Sequence, residues 1–144
     1  MTLLCLIGEC EFISALKGFW IVQAFVSAFF AILFLQSGLD KVFDRKGNLE
    51  WLTGHFSKTF LKGSVSMMVT TVTIVELTAG ILSAIGVVEA IFFRSFCFAF
   101  AGTVFASIAF IMLFFGQRIS KDYGGAVTIA SYFIIGVVDL YFLA

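Results

Sequence analysis

The fold class predicted by this sequence is an all-α integral membrane protein, an antiparallel bundle of four transmembrane helices, and three observations predict it. Of 144 residues, 61% are hydrophobic and only 12% charged, against roughly a quarter charged in an ordinary soluble domain. The mean hydropathy is +1.11. The apolar residues fall into four continuous runs, each near the roughly 20 residues that a helix needs to cross hydrocarbon. A membrane barrel would instead need alternating strands of about ten residues, and these runs do not alternate.

The first span runs from about 18 to 39, where Gln23 and Gln36 are the strongest polar interruptions and no charge occurs. The second runs from about 64 to 88 and holds Glu76 near its midpoint, with Thr70, Thr71, Thr73 and Thr78 around it. A third, rich in Phe, covers about 95–115, and a fourth covers about 125–143 with Asp139 close to its far end. The joins near 89–94 and 116–124 are short, which makes consecutive helices antiparallel neighbours. Together the spans make the chain, 1–144, one transmembrane domain with no room for a separate catalytic globule.

Residues 40–63 separate the first two spans and are too patterned for a slack linker. Leu49, Leu52, Phe56 and Phe60 recur at helical spacing, so about 48–62 reads as a short amphipathic helix on the membrane surface. A packed loop is the alternative, because Gly54 weakens a helix. The first sixteen residues are partly apolar, but Glu9 and Glu11 prevent a span there; an interfacial or partner-bound arm fits. Those acids, and the lack of an early Lys or Arg, argue against a secretory signal.

Nine basic and nine acidic side chains cancel, and no basic run exists to neutralise a phosphate backbone, so nucleic acid is not an expected partner. Lys41, Arg45, Lys46, Lys58, Lys62, Arg118 and Lys121 lie on one side of the spans, and only Lys17 and Arg94 on the other. Positive loops stay in the cytoplasm, which puts both termini on the outer side of the membrane. The chain contains no proline, which speaks against the broken helices of many transporters. Cys5, Cys10 and Cys97 form no CxxC, and His55 is the single histidine; no metal site, haem ligand pair or nucleotide loop is expected.

An ionisable group at mid-bilayer costs about 2.5–3.5 kcal/mol on insertion scales and persists where it faces protein, water or a ligand. Glu76 is such a group. Thr73, Gly80 and Ser83 lie on the same helical stripe, which must face the bundle interior. Glu76 then either hydrogen-bonds and exchanges a proton with a quinone-like ligand or makes an interhelical bond beside a close approach at Gly80. Gln36, Asp40 and Lys41 fall at the inner end of the first span, where an amphipathic head group would sit, although Lys41 could simply snorkel to lipid phosphate. Asp139 reads as solvated or paired with Arg94, and His55 as a surface histidine, although an imidazole near the interface could accept a quinol proton. Small pairs such as Ala24 and Ala28, or Gly102 and Ala106, permit close helix contact.

The stretch Phe34-Leu35-Gln36-Ser37-Gly38-Leu39-Asp40-Lys41, followed by Glu76-Leu77-Thr78-Ala79-Gly80 and Gly86, resembles the DoxX family of small four-helix bacterial membrane proteins. The turn from Phe115-Gly116-Gln117-Arg118 to Asp122-Tyr123-Gly124 is similar to a variant associated with that family. The resemblance covers most of the chain from about residue 18 and implies a subunit of a membrane redox assembly, with Gly38, Lys41, Glu76 and Gly80 as the positions carried over. Many members have an Arg early in the first span, where this chain has only Gln23 and Ser27.

Two functions follow as expectations. In the first, the chain is the inner-membrane subunit of a quinone-linked oxidoreductase, with Glu76 as the proton-exchanging group and a quinone site at Gln36, Lys41, Glu76 and Gly80; a partner supplies the redox centre, because the chain carries no electron-carrier motif of its own. In the second it is a non-enzymatic accessory subunit that packs against a larger membrane complex, with Glu76 as an internal structural bond.

Overall fold

The computed structural model describes side chains from Gly18 to Ala144, so the N-terminal arm expected over the first sixteen residues, with Cys5, Cys10 and Lys17, lies outside the described residues. Five α-helices follow in order: α1 (Thr2–Phe43), α2 (Arg45–His55), α3 (Val65–Val88), α4 (Cys97–Ile119) and α5 (Tyr123–Leu143). No strand occurs among the described residues. Four segments are long and apolar enough to cross a membrane, namely Gly18–Phe43, Phe60–Phe93, Cys97–Ile119 and Tyr123–Leu143. The protein is therefore a multi-pass membrane protein.

The second span is longer than its apolar run because a 3₁₀ turn at Phe60–Ser64 and a π turn at Glu89–Phe93 extend α3 at its two ends. Arg94, in the left-handed region at φ 53°, then breaks the helical course. Glu89 restarts it, its carboxylate accepting from the Phe98 backbone N–H at 2.8 Å. An acid at the first turn of α4 satisfies a donor that has no intrahelical partner. Asp122 does the same for α5 by accepting from Gly125 N–H at 3.0 Å.

The segment expected as one amphipathic helix over 48–62 is divided. α2 begins at Arg45, where Asp44 accepts from Gly47 N–H at 3.2 Å and Asn48 Nδ2 donates to the Asp44 carbonyl at 2.9 Å. It stops at His55, and the Phe56 N–H closes the last turn on the carbonyls of Leu52 and Gly54. The predicted apolar face is real over its first part. Phe56 forms a small core with Val65 and Val69, flanked by Leu49, Leu52, Leu61 and Met68, while Phe60 is exposed. That face is turned onto α3.

α1 packs on α3, α3 on α4, and α4 on α5. The seams are set by small residues. A Cβ added to Gly38 would lie 2.7 Å from Leu77, and one added to Gly80 would lie 2.8 Å from the Leu35 backbone nitrogen. Each helix thus seats its leucine on the other's glycine, and α1 and α3 approach at backbone distance. Gly86 against Ala99 and Gly102 against Ser83 do the same between α3 and α4. The α1–α5 seam is spanned by rings instead, with Phe19 near Phe142 and Phe29 near Tyr132.

Along α1 residues 23, 27, 30 and 34 are buried and the half-buried 37 and 41 continue the same alternating steps of four and three, with Ala31 and Gly38 buried beside them. Gln23 and Ser27 come first, then Phe30 and Phe34, then Ser37 and Lys41. The middle pair joins Phe110, Ala79, Ala106 and Ala109 in the apolar core. Two polar centres therefore occupy opposite ends of the bundle, with packed rings between them.

Candidate functional site

Glu76 has no exposed surface, and its partners come from α1. Lys41 Nζ donates to Glu76 Oε2 at 2.9 Å, and Ser37 Oγ donates to Oε1 at 3.1 Å. Lys41 also reaches the Ser37 hydroxyl at 2.7 Å and the Ser37 carbonyl at 3.2 Å. An ammonium has three hydrogens, and here each has an acceptor. The reciprocal glycine and leucine contacts between α1 and α3 create this meeting, since Gly38 lies three residues before Lys41 and Leu77 is the residue after Glu76. Lys41 does not snorkel outward, because a buried carboxylate within reach outweighs the water it gives up.

Beside the ion pair lies a partly open cavity of about 100 Å³. Lys41 and Gln117 contribute its polar wall, Met68, Val72 and Leu113 its apolar floor, and Trp51 with His55 its rim. The Trp51 and His55 rings stack at 4.9 Å between centroids. His55 is not a free surface residue, for its Nε2 lies 2.8 Å from Ser120 Oγ. With the Ser120 hydroxyl donating to the Gln117 carbonyl at 3.1 Å, the imidazole is the donor in that bond. The buried Gln117 Oε1 has no partner among the described residues.

Of the four residues expected at a quinone site, the structure brings Lys41 and Glu76 together. Gln36 is exposed on the outer face of α1, since it falls between the inward positions 34 and 37. Gly80 is buried against Leu35, one turn from Glu76, where it serves the helix seam rather than the cavity. Thr73 and Ser83 are buried on the same stripe as Glu76, as predicted. Ser37 and Trp51 were not anticipated. Ser37 was legible in principle, because it falls on the four-and-three repeat that also selects Gln23, Ser27 and Lys41.

Asp139 is neither solvated nor paired with Arg94. It is buried, with Thr103 Oγ1 donating to its Oδ2 at 2.6 Å and Gln23 Nε2 at 3.4 Å. Arg94 stacks over Trp20, 3.5 Å from the ring centroid. The aromatic face draws the guanidinium away, and α5 turns its carboxyl toward α1 and α4. Among the described residues no group of three or more His, Cys, Asp or Glu could hold a metal ion. Comparison with protein-family models, with curated proteins and with solved structures finds no match for this chain.

Proposed function

We propose that the chain is a DoxX-like subunit of a redox assembly in a bacterial inner membrane, and that it binds a quinone-type head group in the cavity beneath α2. In this reading the four spans insert antiparallel, α2 lies at the cytoplasmic interface and both termini are periplasmic. The seams support the antiparallel order: position 35 meets 80 while 38 meets 77, and 83 meets 102 while 86 meets 99.

The observation that carries the proposal is the cavity itself, which is largely apolar, partly open and lined in part by the stacked Trp51 and His55 rings. Gln117 Oε1 is an acceptor that a hydroquinone hydroxyl would satisfy. Lys41, on the cavity wall, links that ligand to the Glu76 carboxylate and so to a group able to take or return a proton. Electrons pass through a partner's redox centre.

The test is quenching of Trp51 fluorescence by a short-tailed benzoquinone in detergent, with Trp20→Phe as background. Glu76→Gln weakens binding and leaves the protein folded, and filling the cavity with Val72→Phe or Leu113→Phe abolishes it. Saturable quenching that survives both fillings removes the quinone site.

The second reading, an accessory subunit packed on a larger membrane protein, is favoured by a groove on the outer face of α1. Ala24 and Ala28 with Val87 and Ile91 line about 260 Å³ there. A large partner that co-purifies in fixed ratio and without quinone would select it.

A further inference from the structure

We propose that the groove between α1 and the end of α3 binds one anionic glycerophospholipid, with an acyl chain along Ala24 and Ala28 and the phosphate on Arg94. The site goes beyond the quinone reading and does not depend on it. It lies at the end of the bundle opposite the Lys41–Glu76 pair.

The groove holds about 260 Å³, and its walls are the apolar side chains of Ile21, Ala24, Phe25, Ala28, Val87 and Ile91, with the Trp20 ring at one end. Ala24 and Ala28, one turn apart, leave the space that larger side chains would fill. Ile21 and Phe25 are exposed, so the groove belongs to the surface of the span. From Trp20 to Ala28 is eight residues, about 12 Å of helix. Trp20 stands near the start of the first span, at the level where indole rings meet lipid head groups. The groove thus descends from head-group level into hydrocarbon, the course of an acyl chain.

Arg94 stands at the upper end, three residues after Ile91. It follows the π turn in the left-handed region, at φ 53°, a conformation that side chains other than glycine seldom adopt. Its Cζ lies 3.5 Å from the Trp20 ring centroid. At that separation the guanidinium rests on the face of the indole, and the N–H groups, which radiate in its own plane, stay free. No carboxylate is within ion-pair distance of Arg94 among the described residues, and Glu89, the acid nearest in sequence, accepts from the Phe98 N–H. A guanidinium with a covered face and a free edge matches the paired oxygens of a phosphodiester. With no acid beside it to receive an ammonium, the site favours an anionic head group over a zwitterionic one. The same groove taken as a protein seam leaves Arg94 without a role, whereas a lipid uses both the cation and the alanines.

The experiment follows Trp20 fluorescence of the Trp51→Phe protein in phosphatidylcholine vesicles. Phosphatidylglycerol or phosphatidylcholine with brominated acyl chains progressively replaces the unlabelled lipid. Half-maximal quenching comes at a mole fraction about fivefold lower for the brominated phosphatidylglycerol. Arg94→Gln brings the two mole fractions together. Ala28→Phe, which fills the groove, shifts the phosphatidylglycerol value toward that of phosphatidylcholine. Arg118→Gln, at the opposite end of the bundle, keeps the fivefold preference. Equal mole fractions in the Trp51→Phe protein, a preference that survives Arg94→Gln or Ala28→Phe, or one lost equally in Arg118→Gln overturns the site. So does a Trp20 that neither brominated lipid quenches, since a second copy of the chain then covers the groove.

Discussion

Lys41 and Glu76, separated by 35 positions in the chain, meet at 2.9 Å in a part of the bundle where the carboxylate has no contact with solvent. Removing one partner of such a pair leaves the other charge buried alone, whereas removing both leaves apolar packing. Lys41→Met is expected to destabilise the protein by about 3–5 kcal/mol. Glu76→Gln should cost less, about 1.5–3 kcal/mol, because the freed lysine can extend to the interface while a stranded carboxylate cannot. The double variant Lys41→Met with Glu76→Gln should recover most of the loss. Denaturant unfolding in detergent of the three variants checks the order, and an additive double variant would show that the pair is not energetically coupled.

The glycine seams make a prediction of opposite signs. A methyl group on Gly86 would meet the Ala99 backbone at 2.8 Å, so Gly86→Ala should cost about 1–3 kcal/mol by overpacking. Gly54 lies inside α2 with nothing within 4 Å of an added Cβ. Gly54→Ala should therefore raise the unfolding midpoint, with a gain of up to about 1 kcal/mol from helix propensity.

Asp122 receives the Gly125 N–H at the start of α5. Asp122→Ala should cost about 0.5–2 kcal/mol and Asp122→Asn much less, since the amide oxygen caps nearly as well. Calorimetry of the pair distinguishes the loss of a cap from the loss of a charge.

Cys97 is an exposed free thiol at the first residue of α4. In cells with Cys5→Ser and Cys10→Ser, a membrane-impermeant maleimide should label Cys97 from outside, while Lys58→Cys on a Cys-free background is labelled only after permeabilisation. The opposite pattern inverts the proposed topology.

The four spans were legible because hydrocarbon demands long apolar runs, and that demand is local to each segment. The stripe through Thr73, Glu76 and Ser83 was legible for a similar reason, since a polar face on one helix has nowhere to go but inward. What touches that stripe was not. Lys41 stands at the end of an apolar run, where its ordinary course is outward, and only the register between α1 and α3 returns it to Glu76. Asp139 failed in the same way: nearness to the end of a span suggested water, but rotation about the α5 axis decided, and no single helix encodes its neighbour's rotation. Gln36 shows the converse, a polar residue at the right depth on the wrong face.

The rings of Phe30, Phe34 and Phe110 have a consequence for how the molecule behaves electrically. Ser27 and Ser37 bracket them on α1, ten residues or about 15 Å apart. The Lys41–Glu76 pair carries no net charge, so what reaches the other end of the bundle is the field of a dipole, which falls off more steeply with distance than that of a single charge. Neutralising Asp139 should therefore leave the Lys41–Glu76 pair intact, with the packed rings keeping the two polar clusters apart.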